Sequence, residues 1–454
     1  MGRDKPSTER MEKIVSLCKR RGFIFQTSEI YGGLNGFWDY GPLGTELKRN
    51  LKEFWWRRMV RERDDVVGLE GAILMNRQVW VASGHEATFS DPMVDCRTCK
   101  ARFRGDQLVE KNGKSRCPVC GGSDLTEPRA FNLMFKTYVG ATEDESALTY
   151  LRPETAQAIF VQFKNVLETS RQKLPFGIAQ IGKAFRNEIN PRNFTFRSRE
   201  FEQMELEYFC RPEQGLELLE YWLRERLKFY EEIGIPSDFL HVHKIPAEER
   251  AHYSKGTYDI EFAFPFGVQE LEGIAYRSDF DLSQHQNASG KPLDYFDEDL
   301  KQRFVPHVVE PSAGVDRTAL ALLCAGYDEE FVTDEKGKSE TRTVLRFHPR
   351  VAPIKCGVFP LLKNNETLVR QAREIAQSLR QEMMVFYDEG GAIGRRYRRQ
   401  DEAGTPFCVT VDFDTIGENG PVNKDTVTVR YRDSMKQDRI PIAELSDMLR
   451  EKIR

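Results

Sequence analysis

The densest chemistry in the chain lies between Phe185 and Glu207, FRNEINPRNFTFRSREFEQMELE. Arg186 and Glu188 alternate along a predicted strand, so both project from one face. Asn190, Pro191, Arg192 and Asn193 read as a turn. Arg197, Arg199, Phe201, Gln203 and Glu205 then share a face of the returning strand. Guanidinium groups suit phosphates because they donate paired hydrogen bonds, and an aromatic ring such as Phe201 can stack on a base. Several arginines and glutamates on one side of a hairpin are costly unless they hold a ligand; the alternative is a charged, solvated hairpin.

A second unit, VPHVVEPSAGVDRTALALLC, runs from Val305 to Cys324. A strand is predicted to end at Pro311, with Ser312 and Gly314 leading into a helix that carries Leu320, Leu322 and Leu323. Arg317 falls in the first helical turn, where a cation opposes the helix dipole at a cost of about 0.3–1 kcal/mol. A phosphate bound at that N-terminus would reverse the sign. A local pair with Asp316 is the alternative.

A third group is cysteine. Cys96-x2-Cys99 and Cys117-x2-Cys120 are separated by 17 residues, and Gly121 and Gly122 follow the second pair. This spacing lets four thiolates converge tetrahedrally on one Zn²⁺. Four protein ligands leave no open position for water, so the metal would be structural. Unrelated core cysteines and a redox pair are the competing readings. Cys18, Cys210, Cys324, Cys356 and Cys408 stand singly and read as small buried hydrophobes.

These groups need a scaffold. Leu43, Leu47, Leu51, Phe54, Trp55 and Met59 fall at helical spacing. That helix either packs in the core or turns its apolar face, with Trp55 and Trp56, to a partner subunit. Asp95–Pro128 reads as a polar, glycine-rich insertion around the cysteines. Arg129–Val139, Phe176–Phe185 and Phe194–Phe209 read as strands of one large antiparallel sheet, and Leu216–Ile233 as an amphipathic helix ended by Gly234 and Pro236. After the proline-flanked segment Phe347–Pro353 the rhythm changes. Strands are predicted over Lys355–Leu362, Met383–Tyr387, Phe407–Phe413 and Thr426–Arg432. Helices are predicted over Glu366–Arg380, Gly394–Asp401 and from Pro441 onward. Such alternation predicts a small α/β domain with a mostly parallel sheet.

The chain has 454 residues, with 67 Lys and Arg against 71 Asp and Glu and a net charge of −4. At roughly 100–200 residues per domain, about two to four domains are expected. The 30 Phe, 15 Tyr and 5 Trp supply a core and exclude a wholly disordered chain. Near-neutral charge removes any global electrostatic case for nucleic-acid binding, so such a partner must be held by local patches. No apolar run reaches the roughly 18 residues of a membrane span, so no membrane partner is expected. Met1–Arg20 lacks the apolar core of a secretory signal, and Pro6 stands where acylation at Gly2 would need Ser or Thr. Nine cysteines, scattered but for one cluster, fit a reducing cytoplasm better than a disulfide framework.

Three segments carry a resemblance over nearly the whole chain: TYLRPETAQAIFVQFKNV from Thr149 to Val166, FGIAQIGKAFRNEINPRNFTFRSREFEQME from Phe176 to Glu205, and EPSAGVDR from Glu310 to Arg317. The chain resembles class II aminoacyl-tRNA synthetases, and within them the homodimeric glycyl-tRNA synthetase family of subclass IIa. The Leu43–Val60 helix resembles that class's first, dimer-forming motif. Phe185–Glu188 with its returning strand resembles the second, and Gly314–Arg317 the third. The resemblance implies a catalytic domain over residues 1–350, built on a large antiparallel sheet flanked by helices and holding a zinc-ribbon-like insertion at residues 95–128. An α/β anticodon-binding domain would follow at residues 351–454.

The implied activity condenses glycine with ATP to glycyl-adenylate, then passes glycine to the 3′ end of its tRNA. By resemblance Arg186 grips the α-phosphate, Arg317 the γ-phosphate, and Arg197 further phosphate oxygens. Glu188 holds the adenine amine near a Mg²⁺ that accompanies ATP, and Phe201 stacks on adenine. Asn187, Phe196, Glu270, Leu271 and Gly314 line the ATP site. Glu154, Phe201, Glu205, Glu310, Ser312 and Gly314 match the glycine pocket, and Arg104 is placed at the substrate carboxylate. Carboxylates would read the ammonium and sterics would reject any side chain, so no editing domain is required.

For tRNA, Gly394–Arg399 mixes guanidinium groups with Tyr397, as RNA contacts often do. A solvated helix face is the alternative. Residues 352–454 carry 17 basic and 16 acidic side chains, so any contact there is local. A non-catalytic paralogue is disfavoured by the intact arginines and glutamates. A synthetase for another amino acid is disfavoured by the glutamate-rich pocket. A zinc-ribbon nucleic-acid protein explains only the insertion.

Overall fold

The computed structural model describes residues 8–111, 114–251, 254–333, 337 and 339–454. Gly2 and Pro6 lie outside them. A seven-stranded sheet dominates the first three-quarters of the chain. Its spatial order is Leu240–Lys244, Gly256–Phe264, Gly267–Ser278, His307–Gly314, Glu200–Cys210, Phe176–Phe185 and Val66–Gly68. Every pairing is antiparallel except the last, where Val66–Gly68 runs parallel to its neighbour.

The two faces of this sheet are covered by different helices. Met204, Leu206 and Tyr208 alternate toward one core, which also holds Leu47, Leu51, Phe54, Trp222 and Leu320. Phe176, Ile178, Phe209 and Val308 face the other, against Phe160 and Phe163 of the helix Ala156–Ser170 and Leu282 of the helix Phe280–Ser289. Along this second face the apolar row gives way to buried Gln180, Gln203, Glu205, Glu207 and Glu310. Polar groups in a sheet interior are costly unless they are satisfied, which marks the site.

The Leu43–Met59 helix is realised as Pro42–Trp56 continued by a wider turn over Arg57–Arg61. Pro42 sits in the first turn, where its missing N–H costs nothing. Trp55 is only 2% exposed and packs in this chain's own core. Trp56, Leu43 and Val60 of the same helix are only partly buried against that core.

Three strand boundaries differ from expectation. Arg129–Asn132 pairs with Ser90–Asp95, and Lys136–Tyr138 with Leu148–Tyr150, so neither joins the large sheet. The returning strand starts at Glu200, because Asn193 and Phe194 take left-handed backbone angles and Phe194–Phe196 forms a tight turn. The strand predicted to end at Pro311 runs on to Gly314. Pro311 has no N–H to donate, and the pairing with Glu200–Cys210 skips from Glu205↔Ser312 to Tyr208↔Val309 around it.

The C-terminal sheet has five strands in the order Val385–Tyr387, Cys356–Pro360, Phe407–Val411, Thr426–Tyr431 and Gln437–Pro441. The first three are parallel and the last two antiparallel. Gln437–Pro441 was not anticipated. The helix Glu366–Leu379 is capped by the Asn365 side chain, which accepts from the backbone of Thr367 and Leu368. In the basic helix Ile393–Ala403, Arg396 is 2% exposed and donates to the Pro360 and Leu361 carbonyls. Tyr397 bonds Thr410, and Arg398 pairs with Glu340. Most of this stretch is thus spent on the fold, and Arg395 alone among its arginines is exposed.

Candidate active site

A cleft of about 270 Å³ opens over the sheet between Arg186, Arg197, Phe201, Glu270, Glu310 and Arg317. Arg186 and Glu188 leave the end of one strand, and Arg317 rises from the first turn of the helix Val315–Gly326. None of the three cleft arginines is firmly held. Arg186 donates to the Pro153 carbonyl at 3.0 Å and lies between the Phe89 and Phe201 rings, 5.4 Å from each centroid. Arg197 reaches Glu188 only at 3.5 Å, and Arg317 reaches the Glu270 carboxylate at 3.3 Å. Structural ion pairs elsewhere in the sheet are shorter, as in Arg226–Glu272 at 2.6 Å. Under-satisfied guanidinium groups ringing a cleft can take phosphate oxygens without first breaking strong bonds.

Asp316 does not explain Arg317. Its carboxylate accepts from Lys48 at 2.8 Å, the Tyr40 hydroxyl at 2.5 Å and the Glu202 backbone at 2.7 Å. It anchors the helix start to the Pro42–Trp56 helix.

The far end of the cleft is acidic. Ser312 Oγ donates to Glu205 at 2.8 Å, and the Thr155 hydroxyl also bonds Glu205. Gln203 reaches Ser312 at 3.4 Å and accepts from the Thr155 backbone at 3.2 Å. Arg277 donates to both Glu310 oxygens, at 3.0 and 2.9 Å. Glu207 is fully buried, and among the described residues neither of its oxygens has a hydrogen-bond partner. Burial, then the Glu310 and Glu154 charges, pushes the Glu205 carboxyl up to about 8. Burial likewise raises Glu310, though Arg277 pulls it back, and it drives Glu207 well above the carboxylate range. Burial would also raise Glu154, but His85, whose Nε2 lies 3.3 Å away, and Arg277 hold it well below that range. Carboxyl groups outnumber the one guanidinium, Arg277, so the niche favours a small cation.

The wall behind this niche is rigid. Arg152 donates to the Lys183 and Gly71 carbonyls at 2.6 and 2.8 Å. It can lie flat on the sheet because a Cβ at Gly182 would come within 2.1 Å of its guanidinium. Gln180 in turn holds the Thr155 carbonyl at 2.8 Å.

Cys96, Cys99, Cys117 and Cys120 bring their sulfurs within 4.8 Å of one another. The closest approaches, Cys96–Cys120 and Cys99–Cys117, are both 3.6 Å. Zn–S bonds of about 2.3 Å in a tetrahedron require sulfurs about 3.8 Å apart. The four residues fit zinc.

A model described as the tRNA synthetase class II core domain (G, H, P, S and T) matches residues 135–325. One described as an anticodon binding domain matches residues 355–452. A glycine–tRNA ligase of Treponema denticola is 53% identical over 446 residues, 98% of this chain and 97% of its own. Those of Thermobifida fusca and Clostridium kluyveri are 52% and 51% identical, covering 98% and 99% of both chains. The chain belongs to the glycine–tRNA ligase family.

Against that family's expected site, the cleft gathers Arg186, Glu188, Phe196, Arg197, Phe201, Glu270, Leu271, Glu310, Ser312, Gly314 and Arg317 on its walls. Glu205 lies just behind, touching Ser312, and Glu154 stands outside the cleft lining, held by Gln157 and His85. Asn187 does not line the cleft; its backbone bonds the Leu133 carbonyl. Arg104 is not among the lining residues either: Asp91 and Asp106 hold its guanidinium at 3.0 Å each, and the charge of the cleft's Glu188 also acts on it. Sequence reasoning missed Thr155, Gln157, Glu207, Arg277 and Asp281. The alternation Gln203, Glu205, Glu207 could have found Glu207. A second hollow of about 310 Å³, near Trp38 and Pro191, has Arg192 as its one ionisable lining residue and offers no comparable chemistry.

Proposed function

We propose that this member of the glycine–tRNA ligase family activates glycine with ATP in the cleft and transfers it to the 3′ end of tRNA(Gly). A glycine carboxylate oxygen attacks the α-phosphorus in line. A new P–O bond forms, the bond to the β-phosphate oxygen breaks, and pyrophosphate leaves. No side chain need move a proton in this step. Arg186 holds the α-phosphate, Arg197 its neighbours and Arg317 the γ-phosphate, so that catalysis is positioning plus charge stabilisation. In the second step the terminal ribose hydroxyl attacks the glycyl carbonyl and AMP departs.

Phe201 stacks on adenine beside Arg186, and Glu188 takes the adenine amine. Mg²⁺, arriving with ATP, would neutralise phosphate charge, with Glu188 and Glu270 the carboxylates on the cleft able to face it. Glu205, Glu310 and Glu154 read the ammonium. Zinc in the four-cysteine cluster is structural. Residues 1–350 form the catalytic unit and residues 351–454 read the anticodon, with exposed Arg395 available to RNA. The exposed apolar side chains Ile30 and Tyr31, at 88% and 86%, support a homodimer better than Trp55 does. Free cysteines throughout fit a reducing, cytoplasmic setting.

One observation carries the reading: three weakly paired guanidinium groups stand across one cleft from a niche rich in carboxylates. ATP–pyrophosphate exchange measured with each of the twenty amino acids tests it. Exchange with glycine alone is expected; exchange with another amino acid at a comparable rate would overturn it.

A further inference from the structure

We infer that Arg277 and Gln157 are positioning residues for recognition of the glycine ammonium, an inference that rests on the reading of the niche above. The carboxylates of that niche come from separate elements. Glu310 is on the strand His307–Gly314, and Glu154 lies just before the helix Ala156–Ser170. One unbroken hydrogen-bonded chain joins them. Arg277 Nη1 donates to both Glu310 oxygens at 2.9–3.0 Å. Its other edge grips Asp281, Nε at 2.8 Å and Nη2 at 2.9 Å. Asp281 accepts from Gln157 Nε2 at 3.1 Å, and the same nitrogen donates to Glu154 at 2.9 Å. Gln157 Oε1 is fixed in turn by His285 Nε2 at 2.7 Å.

Every member of this chain is buried or nearly so. Buried polar networks of this kind act as a unit, because breaking one link leaves a desolvated group unpaired. Each link also has a geometric role. A guanidinium spans two carboxylates at fixed separation, which an ammonium cannot do. A carboxamide passes the register on without adding charge. Arg277 offsets one carboxylate and is shared by two. Five carboxyl groups, Glu154, Glu205, Glu207, Glu310 and Asp281, thus stand against this one guanidinium, so an arriving ammonium favours their ionised forms, while the two outer carboxylates are held in a set relation. Neither Arg277 nor Gln157 lines the cleft, so both act through Glu310 and Glu154.

The test is pyrophosphate exchange by the full chain, with glycine and ATP varied separately. Arg277→Lys keeps the charge and loses the fork. Gln157→Met keeps the volume and breaks the relay one link further on. Both are expected to raise the glycine KM by about tenfold or more, the effect of a lost hydrogen bond to a charged group, with the ATP KM and kcat little changed. Both should also discriminate less between glycine and N-methylglycine, which a general loosening of the fold would not single out. Glu310→Gln is the reference. If it raises the glycine KM while Arg277→Lys and Gln157→Met leave it unchanged, or shift both KM values equally, the inference fails and the niche stands. If Glu310→Gln leaves the glycine KM unchanged, the reading of the niche fails. Should Arg277→Lys not fold, Gln157→Met decides alone.

Discussion

Arg317 lies over Phe196, its guanidinium carbon 4.5 Å from the ring centre. The aromatic face holds the cation in place through its ring, at little cost to its hydrogen-bond donors. Those donors meet the Phe196 and Glu270 carbonyls and the Glu270 carboxylate, each at a long 3.3 Å. Arg317 is thus pre-aimed and still free to grip a phosphate. Arg317→Ala is expected to cut glycine-dependent pyrophosphate exchange by roughly a hundredfold or more, the scale of a lost transition-state charge donor. Its circular dichroism should be unchanged. Near-normal exchange would remove Arg317 from the phosphate site.

The Glu205 carboxyl titrates near 8 instead of its ordinary 4.5, because burial and then Glu310 and Glu154 oppose its charge. The sign follows directly. Between about pH 4.5 and 8 the folded protein holds a proton there that the unfolded chain has lost, so this group makes stability fall as pH rises through that window. Glycine binding runs the other way, since its ammonium is best received by the carboxylate. The glycine KM should fall as pH rises from 6 toward 8, while the ATP KM changes little. Glu205→Gln should flatten that slope. A glycine KM independent of pH in the unsubstituted enzyme would contradict the assignment.

Much of the cleft was legible because its signals are short-range. Phe201 follows from strand alternation and Arg317 from its unfavourable place on a helix dipole, whereas Arg186 and Glu188 lie past the strand end at Phe185 and reach the cleft without the alternation expected of them. Arg277 and Asp281 were not legible, because their meaning depends on Glu310, 33 residues beyond Arg277, and Gln157, 124 residues before Asp281. Only sheet pairing and helix docking bring them together. Arg129–Val139 has strand-forming residues, but propensity does not say which sheet a strand joins. Arg396 looked like an RNA contact because sequence cannot distinguish a solvated guanidinium from one buried against carbonyls. Gln437–Pro441, QDRIP, has too few apolar residues to announce a strand.

The four clustered sulfurs sit in small two- and three-stranded sheets whose own core is little more than Phe103, Cys96 and Cys117. So small a core does not hold a fold unaided. The insertion should therefore depend on metal: about one zinc per chain, released by Cys117→Ser or by a strong chelator. Elemental analysis gives the stoichiometry. Proteolysis of the insertion, sharply faster in the stripped protein, gives the coupling. A metal-free preparation with unchanged protease resistance would refute a structural role.

Asp401, on the helix Ile393–Ala403, is fully buried between a strand that precedes residue 350 and one that follows it. It accepts from Arg342 of the strand Ser339–Leu345 at 2.7 Å and from Arg430 of the strand Thr426–Tyr431 at 2.8 and 3.1 Å. Burial alone would raise its pKa, but the two guanidinium groups hold it below the ordinary value. Removing the acid would leave two buried cations facing each other, a loss of about 3–5 kcal/mol. Asp401→Asn is nearly isosteric, so the effect would be electrostatic. It should lower the denaturant midpoint of the C-terminal unit well before that of the catalytic sheet, read by fluorescence and by limited proteolysis. Pyrophosphate exchange, which needs only the cleft, should survive at temperatures where tRNA charging has failed. If both activities were lost together at one midpoint, Asp401 would be a support of the whole chain and not of the junction.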